Sequence, residues 1–246
     1  MQTDFKKYKE KGDVHWQEAF SRSPFKFNAY LNARYKIVLN FLGDIKGKNV
    51  VDIGAGDCAL TSLIAEKEAK VIAVDNSKEG LEYGKDNFEK KKLKGEFLIT
   101  DVYNIPLADA SADVVVSSDV IEHLDNPEKL LKEVSRILKT GGQIIISTPY
   151  RISEKPSDPY HTHEFYPGEL KLLMEKYFTN IKIKESHHIF WFSLYNFKCP
   201  ITRKPIFKYF INALTLWFGY NPFLRDDSMR RKRDYYTQIT LSAFLK

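Results

Sequence analysis

Apolar positions along the chain alternate between two periods, one of strands and one of helices. Val50-Val51-Asp52-Ile53 reads as a short buried strand that runs into the turn Gly54-Ala55-Gly56-Asp57, and Cys58 to Glu66 then reads as a helix. Val71-Ile72-Ala73-Val74 predicts a second strand ending at Asp75, and Ser77 suits the cap of a following helix whose charged tail runs from Lys85 to Lys94. Gly95 to Ile99 and Asp113 to Ser117 read as strands three and four. Asn126-Pro127 opens a helix, Asn as the cap and Pro at the first helical position. Its apolar positions Leu130, Leu131, Val134, Ile137 and Leu138 form one stripe, and Gly141-Gly142 is expected to end it. Gln143 to Ser147 predicts strand five, Pro167 to about Tyr177 a helix, Asn180 to Glu185 strand six, and Tyr236 to Phe244 a half-exposed final strand.

Ahead of this series lies a helical lead-in. Residues 1–23 are polar, with Trp16 and Phe20 one helical turn apart, and predict a loose cap. Residues 24–43 predict an amphipathic helix carrying Phe27, Tyr30, Leu31, Tyr35, Val38, Leu39 and Leu42. Strands alternating with helices imply a parallel sheet covered on both faces.

The turn after the first strand carries the chemistry. Two glycines spaced by one let the backbone bend sharply and approach a ligand, and the helix behind them offers its N-terminus. Asp75 stands about twenty positions after Gly54, where a ribose-binding acid belongs. Gly54-x-Gly56-x-x-Ala59 also fits a dinucleotide fingerprint, so an NAD-dependent oxidoreductase is an alternative. Asp52, at the buried strand end, favours a ligand with an ammonium or sulfonium charge over a pyrophosphate, which it would repel.

From about Asn49 to Tyr150 the chain resembles the class I S-adenosylmethionine-dependent methyltransferases. Val51 to Gly56 resembles the first motif of that family, Val74-Asp75-Asn76-Ser77 the second and Thr100-Asp101-Val102 the third. Ile105-Pro106-Leu107 and Ala112 to Val116 resemble the approach to strand four, with Leu107 and Ala112 where Phe is usual. Ser118 to Leu124 and Leu138 to Pro149 resemble the exit of strand four and the turn into strand five. The resemblance implies a three-layer, Rossmann-like α/β sheet of seven strands and S-adenosylmethionine as cofactor. It also implies a cofactor-binding set of Asp52, Gly54, Ala55, Gly56, Asp75, Asn76, Asp101, Val102 and Ser118. One methyltransferase domain is expected over residues 1–246: a helical cap (1–45), a cofactor-binding core (46–186), an aromatic and basic insertion (187–234) and a final strand (235–246).

A second constellation comprises Asp119, Glu122, His123, His161 and His163. In the family the exits of strands four and five border the acceptor. One of His123, His161 and His163 is a candidate general base for a hydroxyl proton. Alternatively, Asp119, Glu122, His123 and His163 are candidate ligands for a divalent metal that orients the acceptor oxygen. The spacing D-x-x-E-H with a later His is similar to E-x-x-E-H…H of small-RNA 2′-O-methyltransferases and to quinone-pathway O-methyltransferases, with Asp119 in place of the first Glu. O-methylation of a small-molecule, saccharide, lipid-linked or quinone-like acceptor is therefore expected, with RNA 2′-O-methylation as an alternative.

Between His187 and Phe223 the chain is rich in aromatic residues, and Lys204-Pro205 predicts a helix to about Gly219. Its polar residues Lys208, Asn212 and Thr215 form one narrow stripe, so most of that helix needs burial. Four readings are open: a lid or added core, an apolar acceptor pocket, a homodimer surface, or an in-plane membrane contact. Arg225 and Arg230 to Arg233 form a basic cluster suited to phosphates or anionic lipid, but no RNA-binding module accompanies it.

Bulk properties narrow the setting. The chain has 246 residues, 43% of them hydrophobic, enough for one domain with a real core. Its two cysteines, Cys58 and Cys199, suit a reducing compartment, and neither a signal pattern nor a spanning apolar run is expected; the reading is a cytoplasmic protein, with membrane association as an open option. A net charge of +6 permits an anionic partner without requiring one.

Overall fold

The computed structural model describes residues 7–156, 158–225 and 235–246. Two short helices, α1 (Lys7–Lys11) and α2 (Val14–Phe20), fold the polar lead-in over the start of the core. Trp16 and Phe20 pack together with ring centroids 4.7 Å apart. Helix α3 (Ala29–Leu42) begins later than the apolar pattern from residue 24 suggests. Asn28 caps it by accepting the Leu31 N–H, and Phe27 is buried ahead of it rather than within it.

The core then alternates as expected. Strand β1 (Asn49–Ile53) is followed by α4 (Ala59–Ala65), β2 (Lys70–Asp75), α5 (Lys78–Lys91), β3 (Glu96–Ile99) and β4 (Ala112–Ser118). Ser77 caps α5, its side chain accepting the Gly80 N–H. Helix α6 (Pro127–Ile137) starts on the Asn126 cap, and its apolar stripe is fully buried. The Gly141-Gly142 pair does not end α6: the chain leaves the helix at Leu138 and enters β5 (Leu138–Pro149) directly. The glycines lie within that strand, where its pairing with β4 shifts register between Ala112 and Val114. Gly141 takes a positive φ of 73°, and a Cβ on Gly142 would crowd the Lys139 carbonyl, so the pair serves a strand irregularity. Next come α7 (Pro167–Glu175), β6 (Phe178–His188), α8 (Ile189–Asn196), α9 (Ile206–Phe218) and β7 (Tyr236–Leu245).

The seven strands form one sheet in the order β3-β2-β1-β4-β5-β7-β6. The first five pair in parallel, whereas β7 lies antiparallel between β5 and β6. A dinucleotide-binding sheet of order 3-2-1-4-5-6 has no such strand. One face packs on α6 and α7 through residues such as Leu131, Leu170 and Met174, and the other on α3, α4 and α5 through Val38, Ile64 and Phe88. This is the three-layer architecture that the resemblance implies.

Two expectations change. Strand β7 is buried on both faces over most of its length, not half-exposed. Its polar alternation reads as a solvent face, but Thr237, Gln238 and Ser242 are inside the protein and spend their polar groups there. Gln238 donates to Asp119, Thr237 to the His187 carbonyl, and Ser242 accepts from Gln143.

Helix α9 turns its polar stripe inward at Asn212 and Thr215, leaving much of its apolar surface exposed. Asn212 Oδ1 accepts from the Ala29 N–H at 3.0 Å and from Tyr195 Oη at 2.8 Å. Its Nδ2 donates to the carbonyls of Pro24 and Phe27. Asn212 is thus spent on an orphan donor at the start of α3, which a helix cannot pair internally, and Thr215 on the Ile211 and Tyr220 carbonyls.

Candidate functional site

The sheet brings the tips of β1, β2 and β4 together at its C-terminal edge, where strand order reverses and ligands of open α/β sheets bind. Gly54 and Gly56 both have positive φ, 75° and 55°, so the turn after β1 requires them. The N–H groups of Gly54 and Ala55 donate to the Val74 carbonyl at 2.8 and 3.1 Å, tying the turn to β2. The Gly56 N–H reaches Asp75 Oδ2 at 2.7 Å, and the Ser77 N–H reaches Asp75 Oδ1 at the same distance. The carboxylate is thus fixed in orientation while each oxygen retains lone-pair capacity for a hydroxyl donor. Asp101 follows β3 beside it: the Thr100 N–H donates to the Asp75 carbonyl, and Asp101 Oδ1 accepts the Tyr103 N–H. Val102 is half-buried, Asn76 is exposed, and Ser118 Oγ lies 2.7 Å from Ser147 Oγ.

Asp52 is buried under this turn, with Thr61 Oγ1 donating to its Oδ2 at 2.6 Å. Burial pushes its carboxyl up to about 7, partly offset by that hydroxyl and reinforced by Asp75. A cation bound in the crevice would pull the value down again. The crevice thus sets a buried acid, which would ionise best beside a positive charge, next to an anchored carboxylate at the tip of β2.

The helical cap closes over the turn. Asp57 accepts the backbone N–H groups of His15 at 2.7 Å and Trp16 at 3.0 Å, holding α2 down. Tyr8 lies directly over Gly56, and a Cβ there would collide with its hydroxyl. Lys7 Nζ and Tyr8 Oη flank the two ring nitrogens of His15, at 2.6 and 3.1 Å. Burial and the Lys7 ammonium hold His15 well below the usual imidazole range. A neutral ring protonated on Nδ1 satisfies both neighbours.

Residues 119–123 are not a regular helix. Asp119 has a positive φ of 55°, and only Ile121–His123 form a 3₁₀ turn. Asp119 and His163 consequently leave the metal set that spacing suggested. Asp119 pairs with Arg34 and accepts from Gln238 Nε2 at 2.8 Å, while His163 turns outward to Glu169 at 2.7 Å. His161 takes the inner place. Its ring lies 4.9 Å from that of His123, and ligand atoms of Glu122, His123 and His161 lie within 4.8 Å of one another.

The choice between the two later histidines is made by the backbone. The Thr162 and His163 N–H groups both donate to the Glu122 carbonyl, which swings His161 in and His163 out. Glu122 is fully buried; its Oε2 accepts from Thr148 Oγ1 at 2.9 Å, and its Oε1 has no hydrogen bond. Burial pushes this carboxyl up to about 7, the Thr148 hydroxyl opposing the shift. Burial lowers His123, whose Nδ1 lies 3.0 Å from the Tyr160 carbonyl and so carries the proton, leaving the lone pair on Nε2. His161 Nδ1 lies 2.8 Å from Glu164 Oε1.

Arg34 and Gln238, through Asp119, and Asp57, through the helical cap, border the candidate site, and motif reading does not reveal them. One signal was available for Arg34: it follows Tyr30 by four positions and precedes Ile37 by three, a cation in the apolar stripe of α3.

Comparison with known proteins agrees with this geometry. A model of the methyltransferase domain matches residues 51–146. A Mycolicibacterium smegmatis protein named as a probable S-adenosylmethionine-dependent methyltransferase is 32% identical over 152 residues, 59% of this chain and 58% of that protein. A ubiquinone biosynthesis O-methyltransferase of Coxiella burnetii is 27% identical over 104 residues, 42% of this chain and 44% of that one. The chain thus spans little more than half the length of the mycobacterial relatives that it matches. Among solved structures, a methyltransferase from Aquifex aeolicus aligns over the whole of both chains with a TM-score of 0.60 at 18% identity. A phosphoethanolamine N-methyltransferase of Haemonchus contortus, solved with S-adenosylmethionine, covers 98% of this chain and 59% of its own with a TM-score of 0.68 at 17% identity. At such identities the structural likeness concerns the fold.

Proposed function

Because the chain belongs to the class I S-adenosylmethionine-dependent methyltransferase family, we propose that it methylates an oxygen of a small-molecule acceptor. The observation that carries the cofactor half is the anchored carboxylate of Asp75 beside the Gly54–Gly56 turn, with the buried Asp52 beneath. In this reading Asp75 accepts the two ribose hydroxyls, Asp52 faces the methionine and sulfonium end, and Asp101 with Val102 borders the adenine. Gly54, Ala55 and Gly56 let the backbone approach, Asn76 edges the ribose side, and Ser118 closes the pocket beside β4. Bound there, S-adenosylmethionine supplies an activated methyl group and departs as the neutral thioether S-adenosylhomocysteine.

The acceptor half rests on His123 and His161. Burial keeps His123 neutral near pH 7, with Nε2 basic, so it can take the hydroxyl proton as the new O–CH₃ bond forms. Glu164 orients His161 through Nδ1, which leaves that ring a second proton acceptor. Arg34, Asp119 and Gln238 form a fixed polar wall beside β4, and the chain's main contribution is to align donor and acceptor in a site without water. Such alignment is worth effective molarities of ~10⁵–10⁸ M. An amine acceptor needs less assistance in losing its proton, so the imidazole cluster favours oxygen. The name of the Coxiella relative points the same way, toward a quinone-like or other hydroxylated small molecule.

A second reading has Glu122, His123 and His161 hold a divalent cation. It is favoured by the hydrogen-bond vacancy at Glu122 Oε1 among ligand atoms within 4.8 Å of one another. Such an ion would acidify and orient the acceptor oxygen.

Release of S-adenosylhomocysteine across a panel of hydroxylated acceptors tests the proposal. His123→Ala and His161→Ala should lower turnover by about 10²–10⁴-fold with cofactor affinity unchanged, while His163→Ala should leave both intact. Full turnover in both inner variants would remove the base. Activity that survives a chelator would remove the metal.

A further inference from the structure

We propose that the exposed face of α9, with the turn that leads into it, is a docking face for an anionic lipid bilayer. Helix α9 is oriented against expectation, polar side inward. Ile211, Asn212 and Thr215 are buried against the start of α3 and against α8, whereas Phe210, Trp217 and Phe218 are 59%, 67% and 75% exposed. Ile206 and Phe207 continue the same exposed face. Soluble surfaces scatter single large apolar residues, but they rarely gather Trp and Phe on one helix face unless something covers it.

Charge identifies the cover. From Ser186 to Arg225 the sequence contains no Asp or Glu, but it contains Lys198, Arg203, Lys204, Lys208 and Arg225. Lys198, Arg203 and Lys204 lie exposed just before α9, whereas Lys208 belongs to the inward stripe, its ammonium 5.4 Å from the centre of the Tyr195 ring. A second copy seated on this face through a two-fold axis would bring one patch of cations without acidic residues against another. A bilayer containing anionic lipid instead meets the cations with phosphate and the aromatic rings with the headgroup–acyl boundary. The span of α9, Ile206–Phe218, falls well short of the ~20 apolar residues that a crossing helix needs, so it lies in the plane of the surface. No helix among the described residues is long and apolar enough to cross.

The inference does not depend on which acceptor is methylated or on which residue is the base. It is tested by co-sedimentation of the full chain with vesicles of phosphatidylcholine, and of phosphatidylcholine containing about one third phosphatidylglycerol, at low salt. The protein should pellet with the anionic vesicles and stay largely in solution with the neutral ones. Trp217→Ser combined with Phe218→Ser should lower partitioning by at least tenfold, and Arg203→Ala and Lys204→Ala by about fivefold each. All three variants alter surface residues, so unchanged cofactor affinity serves as the check that they fold. Absence of binding to anionic vesicles overturns the proposal, as does equal binding to both vesicle types or binding that the aromatic variant leaves intact. A dimer in gel filtration that Trp217→Ser dissociates, in a protein that ignores vesicles, also overturns it and gives the face to a second copy.

Discussion

The backbone N–H of Gly56 donates to Asp75 Oδ2 at 2.7 Å, linking the glycine turn after β1 to the acid at the tip of β2. In the proposed ribose site neither residue suffices alone. The turn holds the carboxylate still, and the carboxylate holds the turn in a backbone conformation that only glycine adopts without strain.

Asp75→Asn should weaken S-adenosylmethionine binding by about 10- to 100-fold, since two charge-assisted hydrogen bonds to hydroxyls are lost. The apo protein should lose about 1–3 kcal/mol of stability, because the new amide NH2 faces one of the two backbone N–H groups that the carboxylate accepted. Isothermal titration checks the first statement and a thermal melt the second. Wild-type affinity in the variant would remove Asp75 from the site.

Gly56→Ala should abolish cofactor binding and lower the melting temperature. Its φ of 55° is strained for any residue with a Cβ, and that Cβ would collide with Tyr8. Tyr8→Ala in the same chain should recover part of the stability but not the backbone strain. A Gly56→Ala protein that binds normally would show that the turn does not touch the ligand.

Affinity for S-adenosylmethionine should rise with pH up to about 7 and level off above it. Asp52 is raised to about 7 by burial, so the apo protein carries a proton that the cation must displace. Below that value the gain should approach tenfold per pH unit, and Asp52→Asn should flatten the profile. For stability the sign is opposite. The raised folded value means that the contribution of Asp52 is fully present below its unfolded range near 4 and is lost as pH rises toward 7. Glu122, also raised to about 7, adds to that loss but lies on the acceptor side. An affinity independent of pH between 5 and 7 would separate Asp52 from the bound charge.

Asn212→Ala should destabilise the fold by about 1–3 kcal/mol, the usual cost of leaving a buried hydrogen-bonding group unmade. The Ala29 N–H at the start of α3 loses one acceptor, and the Pro24 and Phe27 carbonyls lose their donor. Chemical denaturation measures this, and a change within a few tenths of a kcal/mol would mean that α9 does not brace α3.

Local chemistry made the core readable and left the acceptor wall obscure. The β1 turn, the Ser77 cap and the Asn126-Pro127 start are decided by neighbours in sequence, and each forms as the residues imply. The polar stripe of α9 could not be assigned from its own helix, because Asn212 spends its side chain 183 positions away on Ala29. Asp119 was drawn to the metal set by spacing, but its partner Arg34 is 85 positions upstream. His161 and His163 differ by one residue between them, and only the two hydrogen bonds to the Glu122 carbonyl decide which faces inward. The alternation of β7 mimicked a solvent face because its polar groups meet partners on other elements.

The most direct test of the account is calorimetric titration of the full chain with S-adenosylmethionine and, separately, with NAD. Three acids at neighbouring strand tips predict micromolar binding of the sulfonium ligand, displaced by S-adenosylhomocysteine, with no heat from NAD. Micromolar NAD binding with silence toward S-adenosylmethionine would contradict it.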